Sequence, residues 1–240
     1  MRAAGAARNR VRPVLAAILL VSAGGAGASD AGLRALVAPY LEARERGEVG
    51  YVEGAAYAEP RAVTAPPVPW EGVSVMLLPH SADLEAELDA IKESLRDSVA
   101  GYVAASHRLI AAREGYERSL AATGGGELVR GEVSDGLGRF RFTAMPAGRW
   151  LLLAWREVPH VGSTRKIPGA DASSFRDNWE RTGHAAVGYW RLDVEVRPGE
   201  TASVSLFDRN GWMTVVREEL RLPADAPKAG TPRRRQGTTR

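Results

Sequence analysis

The chain has no cysteine. That absence excludes disulfide bridges, thiol catalysis, thiolate-ligated zinc and lipid attachment at an N-terminal cysteine. Histidine is scarce as well. The four present, His80, His107, His160 and His184, form no H-x-x-x-H or H-E-x-x-H pair, so no metal set and no cofactor is expected. Ser163 to Lys166 fits S-x-x-K, but neither S-D-N nor K-T-G accompanies it, and no Ser-His-Asp order stands out. No apolar run reaches the roughly 20 residues that a membrane-spanning helix needs.

A strong excess of charge is also missing where it would matter. The formal net charge is +3, from 32 basic and 29 acidic residues. The excess sits at the two ends. Residues 1–28 hold four arginines and no acid, and 221–240 hold six basic residues and one acid. Between them, acids outnumber bases, which argues against a patch that captures phosphate backbones. Nucleic acid is therefore not an expected partner.

What is present begins with a basic MRAAGAARNRVR, an apolar PVLAAILLVSAGGAGA and a small-residue site ending at Ala28. That order predicts a signal peptide over 1–28, with a retained short anchor as the alternative, a periplasmic or secreted chain, and no stable membrane span once the signal is removed. Residues 29–47 carry Leu33, Leu36, Val37, Tyr40 and Leu41 at helical spacing, with Pro39 interrupting, and predict an N-terminal helical segment. Residues 221–240 are rich in Pro, Gly and Thr and predict a disordered basic tail.

Between these ends the texture is mostly β. EVGYVEGAAYAE, EGVSVMLLP, ELVRGEVS, GRFRFTA, GRWLLLAWREV, YWRLDVEVRP, TASVSLFD and GWMTVVREE are strand candidates bounded by turn residues. Leu192, Val194 and Val196 alternate with charged neighbours, the pattern of a strand with one buried face. Asn210-Gly211 reads as a two-residue hairpin turn. Residues 82–122 break the pattern: Leu84, Leu88, Ile91, Leu95, Val99 and Tyr102 follow helical spacing, with Ser81 as N-cap. One helix of that length would run about 60 Å, so a helical hairpin bending near Gly101 is expected. Residues 158–188 lack periodicity and read as a long loop.

The stretch 134–150, SDGLGRFRFTAMPAGRW, holds three glycines. A phosphate-cradling glycine loop opens a helix, whereas here the glycines lead into an alternating Phe140-x-Phe142. They read as turns, with Phe140 and Phe142 inward, Arg139 and Arg141 outward, and Trp150, Leu152 and Ala154 on the returning inward face.

Asp135, Gly138, Phe140, Phe142, Met145, Pro146, Gly148 and Trp150 match a run that resembles the carboxypeptidase regulatory-like domains, and EGVSVMLLP is similar to an earlier strand of that family. The resemblance implies a mainly β fold: a transthyretin-like (prealbumin-like) β-sandwich of about seven strands over 48–220, here with an inserted α-helical hairpin. It does not imply an activity. A zinc carboxypeptidase needs a separate catalytic domain, and the related hydroxyisourate hydrolases need a C-terminus unlike this chain's Gly-Thr-Thr-Arg.

The expectation is an exported, non-enzymatic binding or assembly module of the bacterial envelope, with a protein or glycan partner. Trp70, Trp155, Trp179, Trp190 and Trp212 are candidates for stacking on sugars, although packing accounts for most tryptophans. Trp179, His184 and His160 are the candidate ligand-binding residues, all within the 158–188 stretch. An alternative is a carbohydrate-binding module using Trp179. A further alternative is a hydrolase built on His160, His184, Asp171 or Asp177.

Overall fold

The computed structural model describes residues 30–60, 64–95, 98–158 and 180–221. Residues 1–29, 61–63, 96–97, 159–179 and 222–240, which include the expected signal peptide and most of the expected basic tail, lie outside them.

Two sheets face each other. The first holds β1 (Val49–Ala58), β2 (Val68–Pro69), β5 (Arg139–Pro146) and β8 (Thr201–Phe207). β5 pairs antiparallel with β1, while β8 runs parallel to β1 from Tyr51↔Thr201 to Tyr57↔Phe207. The second has the order β4 (Arg130–Val133), β3 (Ser74–Pro79), β6 (Gly148–Val158), β7 (Glu180–Val196) and β9 (Met213–Arg221), all antiparallel. Val52, Phe142 and Leu206 from one sheet and Val75, Trp150 and Val194 from the other belong to one buried cluster. Trp70 and Trp190 meet there with ring centroids 5.5 Å apart.

A helical layer covers the outer face of the second sheet. α2 (Ala82–Glu93) and α3 (Val99–Ala122) form the expected hairpin. The break falls at 94–98, ahead of Gly101, because Ser98 caps α3 by accepting from the Gly101 N–H at 3.1 Å. At the start of the pair, the Ser81 hydroxyl accepts from the Leu84 N–H at 3.3 Å. Tyr116 of α3 donates to the Pro79 carbonyl at 2.9 Å, which brings α3 back past the origin of α2. α2 buries Leu84, Leu88 and Ile91, and α3 buries Ala105, Leu109, Ala112 and Leu120.

Strand β6 shows why a third layer is required. Its Trp150, Leu152 and Ala154 point into the sandwich as alternation predicts, yet Leu151 and Leu153 between them are also buried. A strand covered on both faces loses its polar alternation, and WLLLA is such a run.

α1 (Asp30–Glu45) docks rather than dangling: Leu33, Val37, Tyr40 and Ala43 are buried. Pro39 lies inside this helix without ending it, since Pro39 and the Ala35 carbonyl four residues earlier both belong to exposed residues that water can serve. No helix among the described residues is long and apolar enough to cross a membrane.

Two expectations change. Asn210-Gly211 does not turn a hairpin, because β8 and β9 belong to different sheets. Asn210 instead accepts from the Phe207 N–H at 2.8 Å and donates to the Ser205 carbonyl at 2.7 Å, which shapes a 3-10 turn over Asp208–Asn210. Residues 180–188, expected as loop, are strand: β7 starts at Glu180 and pairs with β9 from Glu180↔Arg221 onward.

Candidate functional site

His160, Trp179, Asp171 and Asp177 lie outside the described residues. His184 sits in β7, opposite Glu218 of β9. The other tryptophans lie among the described residues and pack within the fold. Trp150 donates to the Pro146 carbonyl at 3.0 Å and Trp190 to the Phe207 carbonyl at 3.0 Å. The Trp155 ring stacks on Tyr189 with centroids 6.4 Å apart and carries the Arg113 guanidinium over it at 4.9 Å. Trp212 takes Arg191 at 4.9 Å and Lys92 at 5.6 Å. Trp155 and Trp212 thereby join the hairpin to the sheet.

The glycine-rich stretch is a turn built by Asp135. Its carboxylate accepts from the Leu137 and Arg139 N–H groups at 2.9 and 2.8 Å. Those bonds, led by the one from Arg139, hold its carboxyl below the usual carboxylate range. Phe140 and Phe142 are buried and Arg139 and Arg141 exposed, as alternation requires.

Among the described residues, two of the places that gather polar groups from several elements stand out. The first lies where β3 turns into α2. The His80 N–H donates to the Arg149 carbonyl at 3.1 Å and to the Tyr40 hydroxyl at 3.2 Å. Tyr40 in turn donates to the same Arg149 carbonyl. His80 Nε2 is 2.8 Å from Glu85 Oε2 and 3.9 Å from Asp193 Oδ1. The Asp193 Oδ2 atom accepts from Arg149 at 2.7 Å. Asp193 and Glu85 raise the Arg149 pKa, the hydrogen bond to Asp193 having the largest effect. Burial pushes the Tyr40 and Tyr116 phenols up from their ordinary value.

Sequence reasoning missed this cluster because it looked for histidine pairs. His80 and Glu85 form an H-x-x-x-x-E at a strand-to-helix junction, which is a legible signal. Asp193 is not legible: it arrives through the pairing of Leu151 with Asp193 in the neighbouring strands.

The second place is a groove of about 480 Å³ at the end of the second sheet, lined by Glu71, Gly72, Ser74, Trp155, Arg156, Glu157 and Arg217. Arg217 and Glu157 form an ion pair across it. The Arg156 guanidinium lies 4.5 Å over the Trp70 ring, and its burial lowers its pKa. Glu157, which lines the groove, lies one residue before the end of β6 at Val158. Its volume falls in the range of about 300–1,000 Å³ typical of small-ligand sites.

Comparison with known proteins adds little. No family model matches the chain, and no curated protein matches it. Among solved structures, a candidate carbohydrate-binding protein from Pseudomonas aeruginosa aligns at 17% identity and a TM-score of 0.36, covering 67% of this chain and 89% of that one. The pilus backbone protein RrgB of Streptococcus pneumoniae aligns at 13% identity and a TM-score of 0.26, covering 67% of this chain and 41% of that one. Likeness at that level carries no argument about ligand or partner.

Proposed function

We propose that this is an exported, non-enzymatic binding module of the bacterial envelope, built on a carboxypeptidase regulatory-like sandwich, and that it holds a glycan in the groove at the end of the second sheet. The groove is the observation that supports the reading. Arg156, Glu157, Arg217, Glu71 and Ser74 offer charged and hydroxyl groups to one opening, beside the edge of Trp155. Vicinal sugar hydroxyls both donate and accept, so a wall that mixes guanidinium and carboxylate groups satisfies them in pairs. The basic, apolar and small-residue order of residues 1–28 supports export.

A glycan array followed by calorimetry on the full chain tests the assignment. The exposed pair Glu157→Ala/Arg217→Ala is expected to weaken binding at least about tenfold, the loss of one charge-assisted hydrogen bond worth roughly 1.5 kcal/mol. Trp179→Ala checks the contribution of the tryptophan singled out by the sequence. A silent array, or equal affinity in the double variant, removes the groove from consideration. Turnover of a captured glycan would replace a binding module by a hydrolase.

A further inference from the structure

We infer that His80, Glu85 and Asp193 form a binding site for a divalent cation of the zinc class. The three residues come from the β3–α2 turn, from α2 and from β7. Their ligating atoms, one nitrogen and two carboxylate oxygens, all lie within 4.8 Å of one another.

Three observations point the same way. First, the His80 ring nitrogen is shielded from water, and among the described residues it has no hydrogen-bond partner. Its close contact is the Glu85 carboxylate oxygen at 2.8 Å. A shielded nitrogen beside two carboxylate oxygens is an arrangement that an ion completes. Second, the spacing suits zinc. Bonds of about 2.0–2.2 Å in a tetrahedron set neighbouring ligand atoms about 3.4 Å apart, and the separations of 2.8 and 3.9 Å from Nε2 fall on either side. Closing the site brings ligand atoms that now lie within 4.8 Å of one another to that spacing, shifts of up to about 1 Å. Third, the surroundings fix the ligands. Arg149 holds one oxygen of Asp193 and leaves Oδ1 as the atom nearer His80, the work of an outer-sphere partner. The His80 backbone is itself held by the Tyr40 hydroxyl and the Arg149 carbonyl.

The charge balance agrees. Two carboxylates against one guanidinium leave one net negative charge, so a dication is attracted even with Arg149 nearby. An imidazole with two carboxylates suits zinc better than calcium or magnesium, which take six or more oxygen ligands. Three protein ligands leave one position for water, on the side of Asp193, whose side chain is 47% exposed. Once bound, the ion ties the origin of α2 to β7 and so pins the helical layer to the sheet.

The test is Co2+ absorption spectroscopy and Zn2+ calorimetry on the full chain after chelator treatment. One equivalent is expected to bind, with the visible bands of four-coordinate cobalt and a rise in melting temperature. His80→Ala and Asp193→Asn are each expected to abolish the bands and the rise. Asp193→Asn alters a half-exposed side chain, so its loss of binding is separable from misfolding, which circular dichroism reports. Glu87→Gln, an exposed carboxylate of the same helix outside the cluster, is expected to bind as wild type. If wild type binds zinc no better than Asp193→Asn, the cluster is a histidine–carboxylate ion bridge and the inference is overturned.

Discussion

At the scale of single residues, the glycine-rich turn separates glycines that look alike. Gly138 has φ +72°, and a β-carbon there would sit 2.2 Å from the Ala56 carbonyl oxygen, which accepts from the Trp70 N–H. Gly136 has no such φ, and a β-carbon there would meet nothing within 4 Å. Gly138→Ala is therefore expected to destabilise by roughly 3 kcal/mol, a left-handed cost plus a backbone clash, while Gly136→Ala stays within about 0.5 kcal/mol. Urea unfolding of the two variants measures the contrast, and equal midpoints would refute it. The spacing of the glycines identified a turn from sequence alone. It could not rank them, because the atom that forbids a side chain at 138 belongs to a residue 82 positions earlier. His80 illustrates the same limit. Its nearness to Glu85 is local and legible, whereas Asp193 reaches it only through strand pairing.

At the scale of elements, tyrosine hydroxyls and rings join the layers. Tyr40 links α1 to β6 and to the β3–α2 turn, Tyr116 links α3 to the end of β3, and Tyr189 of β7 stacks on Trp155 beneath Arg113. Burial raises the pKa of all three above the ordinary value of 10.0. The sign follows from which state holds protons longer. Above pH 10 the unfolded chain loses these protons while the folded chain keeps them, so stability is intact below that pH and falls as pH rises through it. Melting temperature recorded against pH is expected to drop beyond pH 10, and Tyr116→Phe is expected to flatten the drop. A variant with an unchanged slope would show that Tyr116 does not carry the linkage. Helical spacing made α2 and α3 readable as elements, and turn residues made most strands readable. The sheet that each strand joins was not readable. β8 pairs in parallel with β1 across some 150 residues, and the hairpin-like Asn210-Gly211 serves a crossover between sheets.

At the scale of the whole molecule, the helical hairpin is a layer of the fold. The local evidence in the sequence was the unbroken WLLLA of β6, which requires cover on both faces. Alternation elsewhere concealed it, because a sandwich alone explains one buried face per strand. Leu151, Leu153, Val187, Met213 and Val215 share the outer face by register and are all buried. α2 and α3 reach that face directly, with Leu88, Leu109 and Leu153 lining one small apolar cavity. Uncovering these side chains would forfeit about 2 kcal/mol each, roughly 10 kcal/mol together, which rivals the whole net stability of a typical domain. Replacing 82–122 by a short linker is therefore expected to give an aggregated or molten product that binds a hydrophobic dye and lacks a cooperative melt. A soluble variant with a sharp transition would instead make the hairpin dispensable to the fold. Partner capture must accordingly be probed by substitutions on exposed hairpin positions such as Glu87 and Arg118, which leave the layer in place. Deleting the hairpin would remove any partner along with the domain that holds it.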